Sequence, residues 1–255
     1  MAYSFFPHKH QKQITLNDSI HIRGTAIPVI IVIEQRKTVT ASMRKHLTIR
    51  IPKFLTSSER EQQIRKMKLW LEEHLHMNES LYNRYIGRVY QDGEYISVQN
   101  SLYRISIQNK EQKNVSVKIS KNIIMIICPN DLPEFEKNKQ ISQQIARKMG
   151  HKYLSILEQK IDYYNDTFFK ESINRISFKN TLSNWGSCSS KKNLNISSRL
   201  LLAPDEVMNY VCIHELAHLK QLNHSTHFWE LVKNVMPNYK TQTKWIKQHG
   251  DTCRF

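Results

Sequence analysis

At 255 residues, with 40% hydrophobic and 24% charged side chains, the chain can bury one large core or two modest ones. Only 6 Gly and 7 Pro exclude a low-complexity chain, and neither an internal repeat nor a long flexible linker is visible. Lys+Arg 38 against Asp+Glu 22 leave a net charge of +16, which draws the chain toward polyanions, although no compact basic run is interleaved with aromatics.

The opening MAYSFFPHKHQKQ lacks the apolar core of a signal peptide. The longest apolar stretch, Ala26 to Ile33, is too short to span a bilayer and contains Pro28. Cys128, Cys188, Cys212 and Cys253 are scattered without a C-x-x-C pair, which suits a reducing compartment. A cytoplasmic protein with no membrane partner is expected.

Residues 1–18 read as a tail. From 19 to 55 the chain alternates and is rich in β-branched residues (IHIRGTAIPVIIVIEQ, TVTASM, LTIRIP), which predicts two or three strands. Thr56 followed by Glu59 has the form of a capping box, opening a helix over 57–77 with Ile64, Met67, Leu71 and Leu75 at helical spacing. Strand-like segments follow: YIGRVYQ, EYISVQ, YRISIQ, VSVKIS and NIIMIICP, with Asp92-Gly93 as a hairpin signal between the first two. The first region, 19–134, is therefore β-rich with one long helix.

From 135 to 255 the pattern turns helical, with Gly150 either a break or a small packing residue. Two strands, RISFKN and LNISSRLLL, are expected on either side of TLSNWGSCS. Pro204, Asp205 and Glu206 suit the first turn of a helix, Pro by its fixed φ and the acids by the helix dipole. The fold class is α+β.

That helix carries H-E-x-x-H at His214, Glu215 and His218. Histidines four apart lie about 40° apart around the axis and about 6 Å along it, so both can meet one Zn²⁺. Glu215 points to the side of the pair, where it can hold a metal-activated water. A third ligand is needed. On an unbroken helix residue 224 would lie about 15 Å from 214, so the chain must turn before it. Asn223 suits that turn in the left-handed conformation, returning His224 to the metal, and Ser225 can cap the next helix with Phe228, Trp229 and Val232 on its apolar face. His227 and Glu230 are the other candidate third ligands. The spacing to His224 follows the metalloprotease pattern H-E-x-x-H-x-x-G-x-x-H, although Gln221 stands where that pattern has Gly. The apolar flanks, Val211-Cys212-Ile213 and Leu216-Ala217, bury this helix, where unpartnered polar side chains would be costly without a metal.

Three blocks resemble the YgjP-like metallopeptidase family, related to SprT-type and Wss1-type zinc proteases. They are NWGSCS at 184–189 with LNISSRLLLAP at 194–204, YVCIHELAHL at 210–219, and NHSTHFW at 223–229. The resemblance implies a zincin-like metallopeptidase domain over 135–255, with zinc on His214, His218 and His224 and Glu215 as catalytic glutamate. It also implies an edge strand that pairs with extended substrate, which makes Trp185, Gly186 and Ser187 candidate substrate-binding residues. Trp185 can equally be a core residue, and Cys188 reads as a buried thiol. His227, Tyr210 and Tyr239 are candidate oxyanion donors.

Peptide or protein hydrolysis is the leading expectation. A metal-dependent nucleotide pyrophosphatase of UTP type on the same site is the alternative, favoured by the charge but lacking a Gly-rich phosphate loop. A basic nucleic-acid-associated module with structural zinc is the third, and it would need a fourth protein ligand such as Cys188 or His227.

Overall fold

The computed structural model describes residues 13–44 and 46–255. Most of the expected tail, and with it the segment read for a signal peptide, lies outside the described residues. The last part of that tail, from Ile14, is strand. The described chain divides into two compact units at Ile86 and Gly87. Residue 134, where the sequence pattern changes, lies inside the second unit.

The first unit has four strands where two or three were expected. They are β1 (Ile14–Ile22), β2 (Thr25–Glu34), β3 (Thr40–Met43) and β4 (Leu47–Pro52), in the order β1-β2-β4-β3. The long run IHIRGTAIPVIIVIEQ is broken by Arg23 and Gly24, both at positive φ (52° and 78°), which closes the β1–β2 hairpin. Helix α1 (Ser57–Met77) starts at Thr56, whose side chain and that of Glu59 cap each other's backbone N–H as expected. Leu71 and Leu75 of α1 are fully buried, as are Ile49 and Ile51 of β4.

Helix α2 (Glu79–Ile86) corrects the strand expected at YIGRVYQ. Asn78 Oδ1 accepts from Leu81 N–H at its start, Tyr82 and Ile86 bury one side four residues apart, and Gly87 at φ 75° follows its end. Asp92-Gly93 is a turn but joins no strand pair: Gly93 N–H donates to Ile105 O at 2.9 Å, and Asp92 Oδ1 accepts from Ile107 N–H at 2.7 Å.

The second unit opens with β5 (Tyr95–Val98), β6 (Ser101–Lys110), β7 (Ser116–Ser120) and β8 (Ile123–Pro129), in the order β5-β6-β8-β7. This repeats the arrangement of the first unit. Each sheet has an antiparallel hairpin, then an outer strand, then a fourth strand parallel to the second and antiparallel to the third. In both, that fourth strand ends on a proline (Pro52, Pro129), and a long helix starts five residues later at Ser57 or Glu134.

Helix α3 (Glu134–Lys152) and α4 (Leu154–Tyr164) lead to a π-turn at Asn165–Phe169 and a small sheet of β9 (Arg175–Lys179), β10 (Gly186–Cys188) and β11 (Asn193–Ser197). Gly150 is a packing residue, since a Cβ there would lie 2.9 Å from that of Phe178. The sheet order is β10-β11-β9, so β10 is an edge strand antiparallel to β11. The residues RLLL, expected in a strand, form a 3₁₀ turn with Ser198 instead, which buries Leu200 and Leu201. Helices α5 (Asp205–Lys220), α6 (Thr226–Val235) and α7 (Tyr239–His249) complete the unit. One apolar core runs through it, from Tyr90 to Phe255. Among the described residues no helix is long and apolar enough to cross a membrane. The fold is α+β, with β-sheets in the first half and a helix-rich region after them.

Candidate metal centre

Helix α5 begins after Pro204, with Asp205 and Glu206 in its first turn. Lys160 Nζ ties it to the preceding helix, reaching Asp205 Oδ2 at 2.6 Å and Asn209 Oδ1 at 2.9 Å. Val207, Val211, Ile213, Leu216 and Ala217 are buried, so the helix is held from several sides and its His-Glu segment is fixed in direction. The chain does leave the helix before His224, but not through a left-handed Asn223. Gln221 is extended at φ −137°, and no residue between Leu219 and Ser225 has positive φ. Asn223 Oδ1 instead accepts from Gln221 Nε2 at 2.7 Å. Ser225 caps α6, its side chain accepting from Phe228 N–H.

This bend brings His214, His218 and His224 together, with one nitrogen from each within 4.8 Å of the others. His214 Nε2 and His224 Nε2 are 3.1 Å apart. Tetrahedral zinc with bonds near 2.05 Å would set its ligand nitrogens about 3.3 Å apart. The far nitrogens of the two helical histidines have partners: His214 Nδ1 lies 3.5 Å from Tyr210 Oη, and His218 Nδ1 lies 3.1 Å from Gln221 O. Such contacts fix the tautomer that leaves Nε2 free for a metal. Burial, then His218 and His224, holds His214 down at a pKa of about 3. Burial also lowers His218, with the Gln221 carbonyl opposing and His224 adding to the fall. Both are neutral at pH 7, as ligands must be.

Glu215 is only 4% exposed, and its Oε2 has no hydrogen-bond partner. Burial pushes its pKa up to about 8, with the Cys188 backbone N–H pulling the other way. A buried carboxyl with one oxygen unpartnered, beside three converging imidazoles, is costly in a purely structural helix and suits a site completed by a cation. The donor set therefore fits a divalent metal of zinc type.

Gly186 lies against this carboxyl: a Cβ there would come 2.5 Å from Glu215 Oε1 and 2.7 Å from its Cγ. Trp185 is placed elsewhere, with the Arg199 guanidinium 4.0 Å from its ring centre and Gly250 packed on its edge. Ser187 Oγ accepts from Asn195 Nδ2 at 3.3 Å. His227 and Glu230 face one another at 3.7 Å and are not in the cluster; nor is Cys188, whose thiol is half-buried and raised by burial. Tyr210 is buried against His214 and stacked on Tyr239. Sequence reasoning missed the Gln221 carbonyl, a backbone group with no signature. It also missed that fully buried Phe228 lies 4.6 to 4.8 Å from all three imidazoles, although its place four residues after His224 marks it.

Comparison with curated proteins finds no match. Among solved structures, the metallopeptidase zymogen of Pyrococcus abyssi abylysin aligns at 23% identity and TM-score 0.34, covering 36% of this chain and 93% of that one. The metallopeptidase zymogen of Methanocaldococcus jannaschii jannalysin aligns at 24% identity and TM-score 0.33, covering 36% and 94%. The family described as YgjP-like, metallopeptidase domain, matches residues 35–249, which takes in the histidine cluster and most of both units. The chain belongs to the YgjP-like metallopeptidase family and is a hydrolytic metalloenzyme of the protease kind.

Proposed function

We propose that the protein is a zinc peptidase in which His214, His218 and His224 hold the metal and Glu215 is the general base. The observation that carries this reading is the buried Glu215 carboxyl, its Oε2 without a partner, next to three converging imidazoles. Zinc bound there supplies Lewis acidity to the attacking water and the scissile carbonyl. Glu215 takes the proton from that water and passes it to the leaving amine nitrogen. Burial raises this carboxyl to about 8 without a metal, and a bound dication would pull it down again toward a base that works near neutrality. Only three ligands converge among the described residues, which supports an open catalytic position over a closed structural site.

The strand register supports a place for the substrate. Ser197 N–H donates to Trp185 O, and Ser189 N–H donates to Asn193 O. Trp185, Ser187 and Ser189 therefore turn their main-chain groups toward β11, and Gly186 and Cys188 turn theirs to the outer edge. There Cys188 N–H donates to the Glu215 carboxyl and Gly186 O accepts from Asn184 Nδ2 at 3.0 Å, so Gly186 N–H and Cys188 O remain for a substrate. An extended peptide adds to that edge as a further strand, beside Glu215. Of the three candidate substrate residues, Gly186 has the supporting geometry, and Trp185 and Ser187 shape the strand from behind.

Glu215→Gln should keep one zinc per chain and lose about a hundredfold or more in cleavage of an unfolded protein. Full activity in that variant would overturn the mechanism. Pyrophosphate release from UTP by the wild type, without peptide cleavage, would replace the peptidase reading with the nucleotide one.

A further inference from the structure

His224 differs from the other two histidines in how it is held. His214 and His218 sit on α5, and each has a polar partner at Nδ1. His224 is exposed, lies on the link between α5 and α6, and has no polar partner at Nδ1 among the described residues. An imidazole so placed can turn about two side-chain torsions unless packing stops it.

Phe228 meets its ring edge-on at 4.8 Å, and on its face lies a chain of near-parallel rings. Trp229 stacks on His224 at 5.7 Å and 26°, and Tyr239 stacks on Trp229 at 5.3 Å and 17°. Tyr210 stacks on Tyr239 at 6.3 Å and 15°, and its hydroxyl returns to His214 Nδ1. The rings thus form a circuit from one histidine to the other through α6, α7 and α5. Ser225 makes this possible: by starting α6 directly after His224, it sets Trp229 in the first turns of the helix, facing back over the link.

We propose that Trp229 and Tyr239 are positioning residues, a stacked brace that orients His224 for the metal where the other two histidines use hydrogen bonds. The proposal rests on the three-histidine reading above. Offset-stacked rings favour one relative orientation, and partners that orient metal ligands commonly govern affinity by about 10- to 100-fold.

The test uses the full chain, Zn²⁺ affinity by competition with a coloured chelator, and the visible absorption of the Co²⁺ form. Trp229→Leu should weaken Zn²⁺ binding by about 10- to 100-fold and alter the Co²⁺ spectrum. Trp229→Phe keeps a ring and should stay within about threefold of wild type. Tyr239→Leu should act in the same direction as Trp229→Leu with a smaller change. Circular dichroism of the metal-free proteins checks folding, and if Trp229→Leu does not fold, Tyr239→Leu decides. Wild-type affinity and an unaltered Co²⁺ spectrum in the leucine variants would overturn the brace, as would a phenylalanine variant as weak as leucine. The underlying site reading fails by a different result: a wild type that binds neither metal, or a His224→Ala protein that binds as tightly as wild type.

Discussion

Glycine 186 shows how tightly single residues are specified around the carboxyl. With a Cβ 2.5 to 2.8 Å from three atoms of Glu215, alanine cannot be added unless the strand or the carboxyl moves. Gly186→Ala should therefore reduce peptide turnover by about a hundredfold, the scale of a displacement near 1 Å at a reacting group. Overpacking of this size should cost about 1–3 kcal/mol, read as a lower thermal midpoint, with zinc still bound. Wild-type turnover in this variant would show that Glu215 is not held where the strand puts it. At this scale the sequence was partly legible. His214, Glu215 and His218 follow from helical spacing alone, and His224 from the need for a turn together with the match to the metalloprotease pattern and the family. The contact between Gly186 and Glu215 joins residues 29 apart in the chain and has no local signature.

Among the elements, α1 is tied to β1 by an ion pair, Lys68 Nζ to Asp18 Oδ2 at 2.5 Å. The hydrogen bond from Lys68 is the main reason the Asp18 pKa is lowered, against the opposing effect of burial. A carboxyl with a depressed folded-state pKa adds stability above its unfolded value of 3.8, and that stability is lost as pH falls through the folded value. The pair is partly solvated, at 24% and 39% exposure, so its worth is about 0.5 kcal/mol. Asp18→Asn should lower urea stability by that amount at pH 7, and the difference should vanish as pH falls through the depressed folded-state value. A difference that persists in acid would mean the loss comes from packing and not from charge. Elements with local punctuation were readable: the Thr56 and Glu59 box marks the start of α1. The β5–β6 hairpin was not, because its turn uses Gln99 and Asn100 at φ 45° and 59°, with no glycine. Helix α2 was misread because Tyr85, Ile86, Val89 and Tyr90 suggest a strand, while of the brackets that define the helix Asn78 lies well before that run and Gly87 sits within it, read as part of the strand.

For the molecule as a whole, everything assigned to chemistry lies in the second unit, and that unit has its own core from Tyr90 to Phe255. A fragment of residues 87–255 should unfold cooperatively and bind zinc within a few-fold of the full chain. An unfolded fragment would show that the first unit is needed for the core itself. The repeated sheet was invisible in the sequence for a physical reason. Strand order follows from which strands pair across long loops, and that pairing tolerates almost any apolar residue on the buried face.

The repetition has a consequence for change over time. An arrangement built twice in one chain need keep its chemistry in only one copy. Among the described residues the only histidine cluster follows the second copy. The first copy, held by a buried sheet and two helices, is free to drift in surface, charge and loop length so long as its strands still pair. Substitutions can therefore accumulate in the first unit without touching any residue assigned to the metal site.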